Sequence, residues 1–196
     1  MTEQERKNCF IIMPFSDTKS HDKNYWDGHY KYLESLLSVF PLRIHRSEAL
    51  RGDIVKQIIT DLVTSHIVIA DLTDLNANVF WELGVRQSFK HCTITIFEEN
   101  NANKTLPFDL AAKGTLFYQP NVPIKMVEFV KKFNSAINDC IINPNYPDSY
   151  VLEAISGRGT LFQILMKQES IRKLVFFASR NSPLLQNIFP GTGGEN

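Results

Sequence analysis

Residues 66–86 have the sequence HIVIADLTDLNANVFWELGVR, and this stretch decides the fold. Its first half is an apolar run that ends at Asp71, which is the pattern of a buried parallel strand. A polar loop follows, and a helix is predicted to open near Asn78 and to carry Glu82 in its first turns. Ligands of open α/β sheets bind outside the carboxyl ends of the strands. The sequence therefore predicts a polar site at that edge, made of Asp71, Asp74, Asn76, Asn78 and Glu82.

The rest of the chain alternates between short apolar runs and longer segments with helical spacing of apolar residues. This rhythm predicts an α/β fold with a doubly wound sheet of about five parallel strands and right-handed crossovers. The predicted strands are 9–13, 42–46, 67–71, 93–97 and 115–118, and the predicted helices are 22–39, one from Gly52-Asp53, one from Asn78 to His91, a short turn at 107–112, and 124–142.

Composition changes at the turn-rich stretch 143–148, so we place a domain boundary there. The prediction is an α/β domain over residues 8–142, a helical C-terminal extension over 143–190 and a disordered tail over 191–196. The apolar helices of the extension suggest a homo-oligomer.

Charge and cysteine content limit the possible functions. The chain has 21 basic and 21 acidic residues and no net charge, which argues against a general nucleic-acid partner. Its three cysteines have no zinc or disulfide spacing, so no metal site is expected. The charged N-terminus is not a signal peptide, and no apolar run approaches the ~20 residues of a membrane span. We expect a soluble, cytoplasmic protein with no membrane partner.

The spacing of Asn78, Glu82 and Arg86 at i, i+4 and i+8 places these three residues on one side of a helix. A carboxylate such as Glu82 can stabilise or trap the oxocarbenium-like centre that forms when an N-glycosidic bond breaks. Asp71 or Asp74 would assist with a proton or hold a ribose hydroxyl, and the asparagines would orient sugar hydroxyls or a base edge. On spacing alone, a surface ion pair between Glu82 and Arg86 is the favoured interpretation, and Asn78 is a natural helix N-cap.

Other features narrow the reaction class. The chain has no GxGxxG, GxxxxGK[ST] or GxSxG motif, which argues against a hydride-transferring dinucleotide enzyme, a P-loop nucleotidase and an α/β-hydrolase. The five histidines have no metal spacing. Aromatic residues near the sheet edge suit either ring stacking or the core, and these are Phe15, Tyr25, Trp26, Phe80 and Trp81.

Three segments carry a resemblance: CFIIMPF at 9–15, IVIADLTDLNANVFWELG at 67–84 and PFDL at 107–110. They resemble the signatures of small bacterial proteins related to nucleoside 2-deoxyribosyltransferases, a group that is also similar to bacterial TIR-type domains of anti-phage defence. The resemblance spans roughly residues 8–140. It implies a flavodoxin-like sheet and a site that acts on a glycosidic bond.

The same resemblance implies a role for Glu82. In the transferases a glutamate on the helix after this strand is the nucleophile, and Glu82 of Phe80-Trp81-Glu82-Leu83-Gly84 matches it. TIR-type enzymes also use a helix glutamate, to cleave the nicotinamide–ribose bond of NAD. Asn78-Val79 stand where the transferases have Gly-Thr, and this departure weighs against base exchange.

The sequence therefore predicts a nucleotide N-glycosidase with NAD as the favoured substrate and with no separate cofactor. Glu82 and Asp71 would be catalytic, and the predicted substrate-binding residues are Phe15, Ser16, Asp74, Asn76, Asn78, Trp81 and Arg86. Phe15 and Trp81 would flank the ring, and Arg86 would orient Glu82 or meet a phosphate. The alternatives are a nucleoside 2-deoxyribosyltransferase and a nucleotide-sensing or oligomerising module without turnover.

Overall fold

Five parallel strands form one sheet in the order β2-β1-β3-β4-β5. A computed structural model describes residues 6–47, 54–99, 106–107, 110, 114–145 and 148–156. Its strands are β1 (Lys7–Ile12), β2 (Leu42–Arg46), β3 (Ile67–Asp71), β4 (Thr93–Glu98) and β5 (Leu116–Tyr118). Its α-helices are α1 (Lys23–Leu37), α2 (Ile54–Thr64), α3 (Ala77–Phe89), α4 (Pro123–Ile142) and α5 (Tyr150–Ser156).

Apolar side chains alternate between the two faces of the sheet, because successive residues of a strand point to opposite sides. On one face, Cys9, Ile11 and Ile69 pack with buried residues of α1 and α4. On the other face, Phe10 and Val68 pack with buried residues of α2 and α3. Every residue of β3 is buried, which explains its continuous apolar sequence.

The predicted fold class is confirmed. The strand order 2-1-3-4-5 is that of flavodoxin-like doubly wound sheets, in which the chain reverses direction across the sheet between β1 and β3. The carboxyl ends of these two strands therefore flank the crevice where ligands of such sheets bind.

Several helix boundaries differ from the sequence prediction by one or two residues, and the start of α3 is the difference that bears on the site. Helix α3 begins at Ala77 and its N-cap is Asn76, whose Oδ1 accepts hydrogen bonds from the backbone N–H groups of Asn78 and Val79 at 2.9 and 3.3 Å. Asn78 is therefore inside the first turn, and the prediction of Asn78 as the N-cap is wrong. Asn76 has extended backbone angles (φ −67°, ψ 124°), which are those of a cap residue.

Several predicted segments lie outside the described residues. They are the opening of the second helix at Gly52-Asp53, most of the turn at 107–112, and the extension and tail from residue 157 onwards. The chain divides into two units, Met1–Leu152 and Glu153–Asn196, and the second is described only at 153–156. None of the helices in the described ranges is both long enough and apolar enough to cross a membrane.

Candidate functional site

Asp71 is the last residue of β3 and is completely buried. Its carboxylate accepts hydrogen bonds from the Thr73 backbone N–H at 2.9 Å and the Tyr118 hydroxyl at 3.2 Å, and it lies 2.9 Å from Nε2 of His29. This carboxylate has no exposed surface and is occupied by His29, Thr73 and Tyr118. A catalytic role for Asp71 stays a prediction.

Asp74 holds the loop that follows β1. Its Oδ2 accepts hydrogen bonds from the Thr18 hydroxyl at 2.5 Å and the Ser20 backbone N–H at 3.1 Å, and it lies 3.0 Å from Nδ1 of His21. The Asp74 side chain is only 1% exposed, so its carboxylate serves the loop rather than a ligand. Asp74 adopts a left-handed backbone conformation (φ 65°), which aspartate tolerates better than most residues.

His21 joins two carboxylates at the carboxyl edge of the sheet. Its Nδ1 faces Asp74, and its Nε2 lies 3.4 Å from Oε2 of Glu98, the last residue of β4. The Tyr25 hydroxyl donates a hydrogen bond to the same Glu98 oxygen. Burial, and then the bond to Glu98, raise the pKa of Tyr25 well above its usual value. The rings of His21 and Tyr25 stack with centroids 3.8 Å apart, so this group is held rigidly.

Glu82 differs from these carboxylates. It is half-buried in the second turn of α3, next to the buried side chains of Val79 and Leu83. Among the described residues, its carboxylate has no hydrogen-bond or ion-pair partner. Burial raises the pKa of Glu82 to about 7, because the charged form loses water without gaining a partner.

Several residues in the first turns of α3 and just after β1 have exposed side chains. Phe15 and Trp81 are each 48% exposed, and Ser16 and Asn78 are also exposed. These four predicted substrate-binding residues are therefore accessible to a ligand. Asn76 is different, since its Oδ1 is used by the helix cap.

Arg86 lies at the opposite end of the sheet. Its guanidinium donates hydrogen bonds to the carbonyls of Leu62 (2.7 Å), Ser65 (2.9 Å), His66 (3.3 Å), His91 (2.5 Å) and Cys92 (3.2 Å), and Nε donates to the Thr93 hydroxyl at 3.3 Å. The side chain is completely buried, and burial lowers its pKa to about 10. The predictions that Arg86 orients Glu82 or meets a phosphate are wrong, because its donors already bind the amino ends of β3 and β4. Glu82 and Arg86 form no ion pair, although both are described.

The polar side chains that contact one another at the carboxyl edge of the sheet form what we call the edge group: His21, Tyr25, His29, Asp71, Asp74, Glu98 and Tyr118. The sequence analysis missed four of its members: His21, His29, Glu98 and Tyr118. Two signals could have found three of them, and His21 had no such signal. Glu98 and Tyr118 end β4 and β5 as Asp71 ends β3, so the rule that selected Asp71 also applies to them. Tyr25 and His29 have the same i, i+4 spacing as Asn78 and Glu82.

Comparisons with known sequences do not assign this chain to a family. No family model matches the chain, and no curated protein matches it either. Within the described ranges, no group of three or more histidine, cysteine and acidic side chains is arranged to hold a metal ion. The functional argument therefore depends on the edge group and on Glu82.

Proposed function

We propose that this protein is a nucleotide N-glycosidase that cleaves the base–ribose bond, with NAD as its favoured substrate. The observation that carries the proposal is Glu82, a half-buried carboxyl group on α3 with no polar partner among the described residues and a pKa of about 7. A half-buried carboxyl group with a strongly raised pKa is a candidate catalytic group. Glu82 is also the residue that matches the helix glutamate of the deoxyribosyltransferase-like and TIR-like proteins.

The proposed reaction needs one ionised carboxylate. As the bond between ribose C1′ and the nicotinamide nitrogen breaks, its electron pair moves to the ring nitrogen and a cationic ribosyl centre forms. Glu82 stabilises that centre or bonds to C1′, and water then supplies the hydroxyl at C1′ and releases a proton. A poorly solvated carboxylate interacts with a developing cation more strongly than one in bulk water.

The state of the other carboxylates favours NAD over a deoxynucleoside. The nicotinamide of NAD leaves as a neutral molecule without being protonated, whereas an ordinary nucleobase is a poor leaving group without a general acid. Asp71 and Asp74 are buried and held by neighbouring donors, so neither is placed to protonate a leaving base. Exposed Phe15 and Trp81 would flank the ring, and Asn78 would bind a ribose hydroxyl.

The test is to incubate the full chain with NAD, and separately with deoxynucleosides with and without an acceptor base, and to follow the products by mass spectrometry. We expect free nicotinamide and ADP-ribose from NAD. Glu82→Gln should lower the rate by at least ~100-fold, because the amide cannot stabilise or trap the cation. Glu128→Gln, an exposed carboxyl on α4, is the matched control and should act like the parent.

Three outcomes would contradict the proposal. A Glu82→Gln variant as active as the parent would remove Glu82 from the reaction. Product that forms only when an acceptor base is supplied would instead establish base exchange. A nucleotide-induced thermal shift without any product would favour a sensing module.

The pH dependence gives a second test of Glu82. Its pKa is raised to about 7, and the proposed reaction uses the ionised form. We expect kcat/KM for NAD to rise as pH increases through about 7 and then to level off. A rate that falls across that range would mean that Glu82 acts in its protonated form, as a general acid.

A further inference from the structure

An open cleft of about 440 Å³ lies between α1, the end of β5 and α4. Its lining is mainly aromatic, with Tyr25, His29 and Tyr32 from α1 and Tyr118 from β5. Met126 of α4 adds a thioether, which packs well against aromatic rings. The volume and the lining are those of small-molecule sites in proteins, which usually hold a few polar groups within an apolar wall.

The wall contains the Asn24 carboxamide, tyrosine hydroxyls and the His29 ring, and of these His29 is held by buried partners. Nε2 of His29 lies 2.9 Å from the buried carboxylate of Asp71 and 3.3 Å from the Tyr118 hydroxyl. The Tyr118 hydroxyl donates its proton to Asp71, so its oxygen is left to accept a hydrogen bond from Nε2, and we therefore assign the ring proton to Nε2. In the neutral ring Nδ1 is then an acceptor, and among the described residues it has no hydrogen-bond partner.

The rings around His29 are also held in place. Tyr25 is nearly parallel to His29, with centroids 5.8 Å apart and an interplanar angle of 7°. The Tyr118 ring, from β5, is also nearly parallel to the His29 ring, with centroids 5.2 Å apart and an interplanar angle of 13°. His29 and Tyr118 are themselves buried, so the rings of this wall with surface to offer a ligand are those of half-buried Tyr25 and Tyr32. Rigid flat rings of this kind favour a flat ligand, because stacking gains contact area and the protein loses little conformational freedom.

We propose that this cleft is a binding site for a nucleobase with an exocyclic amino group, free or as a nucleoside. The aromatic wall contacts the flat ring, and the amino group donates a hydrogen bond to Nδ1 of His29. The cleft belongs to the face of the sheet covered by α1 and α4, whereas Glu82 is on α3, which packs on the other face. Glu82 does not line the cleft, so we treat the site as separate from the proposed reaction at Glu82, and it suits a ligand that binds without being cleaved.

Gly28 allows the cleft to be blocked without disturbing the core. It lines the cleft within α1, and a Cβ at this position would meet no heavy atom outside its own helix within 4 Å. Gly28→Leu should therefore fill the cleft while favouring the helix. Gly84→Leu is the matched control, since Gly84 is an exposed helical glycine on α3 with equally open space at its Cβ.

The experiment is calorimetric titration of the full chain with adenosine, supported by NMR of the histidine ring nitrogens. We expect binding that shifts the His29 signals, a loss of at least about tenfold in affinity in Gly28→Leu, and unchanged affinity in Gly84→Leu and Glu82→Gln. Purine riboside has the same ring without the amino group, and it should bind about tenfold more weakly because one hydrogen bond is lost.

Three results would overturn the site. They are the absence of binding at about millimolar adenosine, equal affinity of the parent and Gly28→Leu, and loss of binding in Glu82→Gln with retention in Gly28→Leu. The last result would place adenosine at Glu82 instead. Because binding is measured without turnover, an inactive protein that binds adenosine in the cleft would contradict the proposed reaction and leave the cleft proposal intact.

Discussion

Glu82 and Arg86 lie one turn apart on α3, and they differ in their hydrogen-bond partners. Glu82 is half-buried and Arg86 is fully buried. Arg86 has hydrogen-bond acceptors on all three guanidinium nitrogens. Glu82 has no polar partner among the described residues. A buried charge with complete partners holds a structure together, whereas an unpaired one costs stability, and that cost is most easily explained by function.

The pKa values of the two side chains also differ in their consequence for charge at neutral pH. Burial lowers the pKa of Arg86 only to about 10, so the guanidinium stays charged at neutral pH. Burial raises the pKa of Glu82 to about 7, so its charge changes near neutral pH. One side chain is therefore a fixed part of the fold, and the other can change protonation state under working conditions.

The largest effect that we predict is for Arg86→Met. Methionine fills much of the volume but leaves the carbonyls of Leu62, Ser65, His66, His91 and Cys92 without this donor. Each buried acceptor that loses its donor costs about 1–3 kcal/mol, so we expect a loss of at least about 3 kcal/mol or failure to fold. Urea unfolding followed by circular dichroism measures this loss.

Lys131→Met, on the exposed side of α4, is the control for Arg86→Met and should stay within about 0.5 kcal/mol of the parent. If both variants unfold at the same urea concentration, the hydrogen bonds of Arg86 contribute no net stability. In that case the comparison with Glu82 would no longer show that Arg86 has a structural role and Glu82 a functional one.

The fold was predictable from the sequence because strand and helix periodicities are local. The run Ile67–Asp71 is apolar since both faces of β3 are covered, and that pattern is visible without coordinates. The role of Arg86 was not predictable, because its main partners are backbone carbonyls of residues 62, 65, 66, 91 and 92, which any residue type provides.

The candidate site was only partly predictable for a related reason. Asp71 was correctly placed at the sheet edge, but its burial depends on His29 and Tyr118, which are distant in sequence and belong to α1 and β5. Sequence spacing within α3 could group Asn78, Glu82 and Arg86 on one side. It could not show that this side passes from solvent at Asn78 to the core at Arg86.

A smaller effect is predicted for the pH dependence of stability in Glu82→Gln. The pKa of Glu82 is raised from an ordinary 4.5 to about 7, so the folded state binds this proton more tightly than the unfolded state. The resulting stability is complete below about pH 4.5 and is lost as pH rises through about 7. Relative to the parent, Glu82→Gln should therefore become more stable by about 1–3 kcal/mol between these values.

Urea unfolding at several pH values checks this difference, with Glu128→Gln as the control. Glu128 is exposed and pairs with Lys125, so its substitution should give no comparable pH trend. A difference between Glu82→Gln and the parent that stays constant from pH 4.5 to 8 would show that Glu82 is well solvated. Combined with lost activity, the expected gain would show that the carboxylate is kept for function at a cost in stability.

The smallest predicted effect separates two asparagines at the start of the same helix. Asn76→Ala removes the side-chain oxygen that accepts hydrogen bonds from two backbone N–H groups, and loss of an N-cap typically costs about 1 kcal/mol. Asn78→Ala leaves those bonds intact at an exposed position where alanine is the better helix former, so its stability should change by less than about 0.5 kcal/mol. Thermal or urea unfolding of the pair distinguishes them. If Asn78→Ala were the more damaging change, α3 would begin later than Ala77, and Glu82 would lie in its first turn rather than its second, closer to the sheet edge and to solvent.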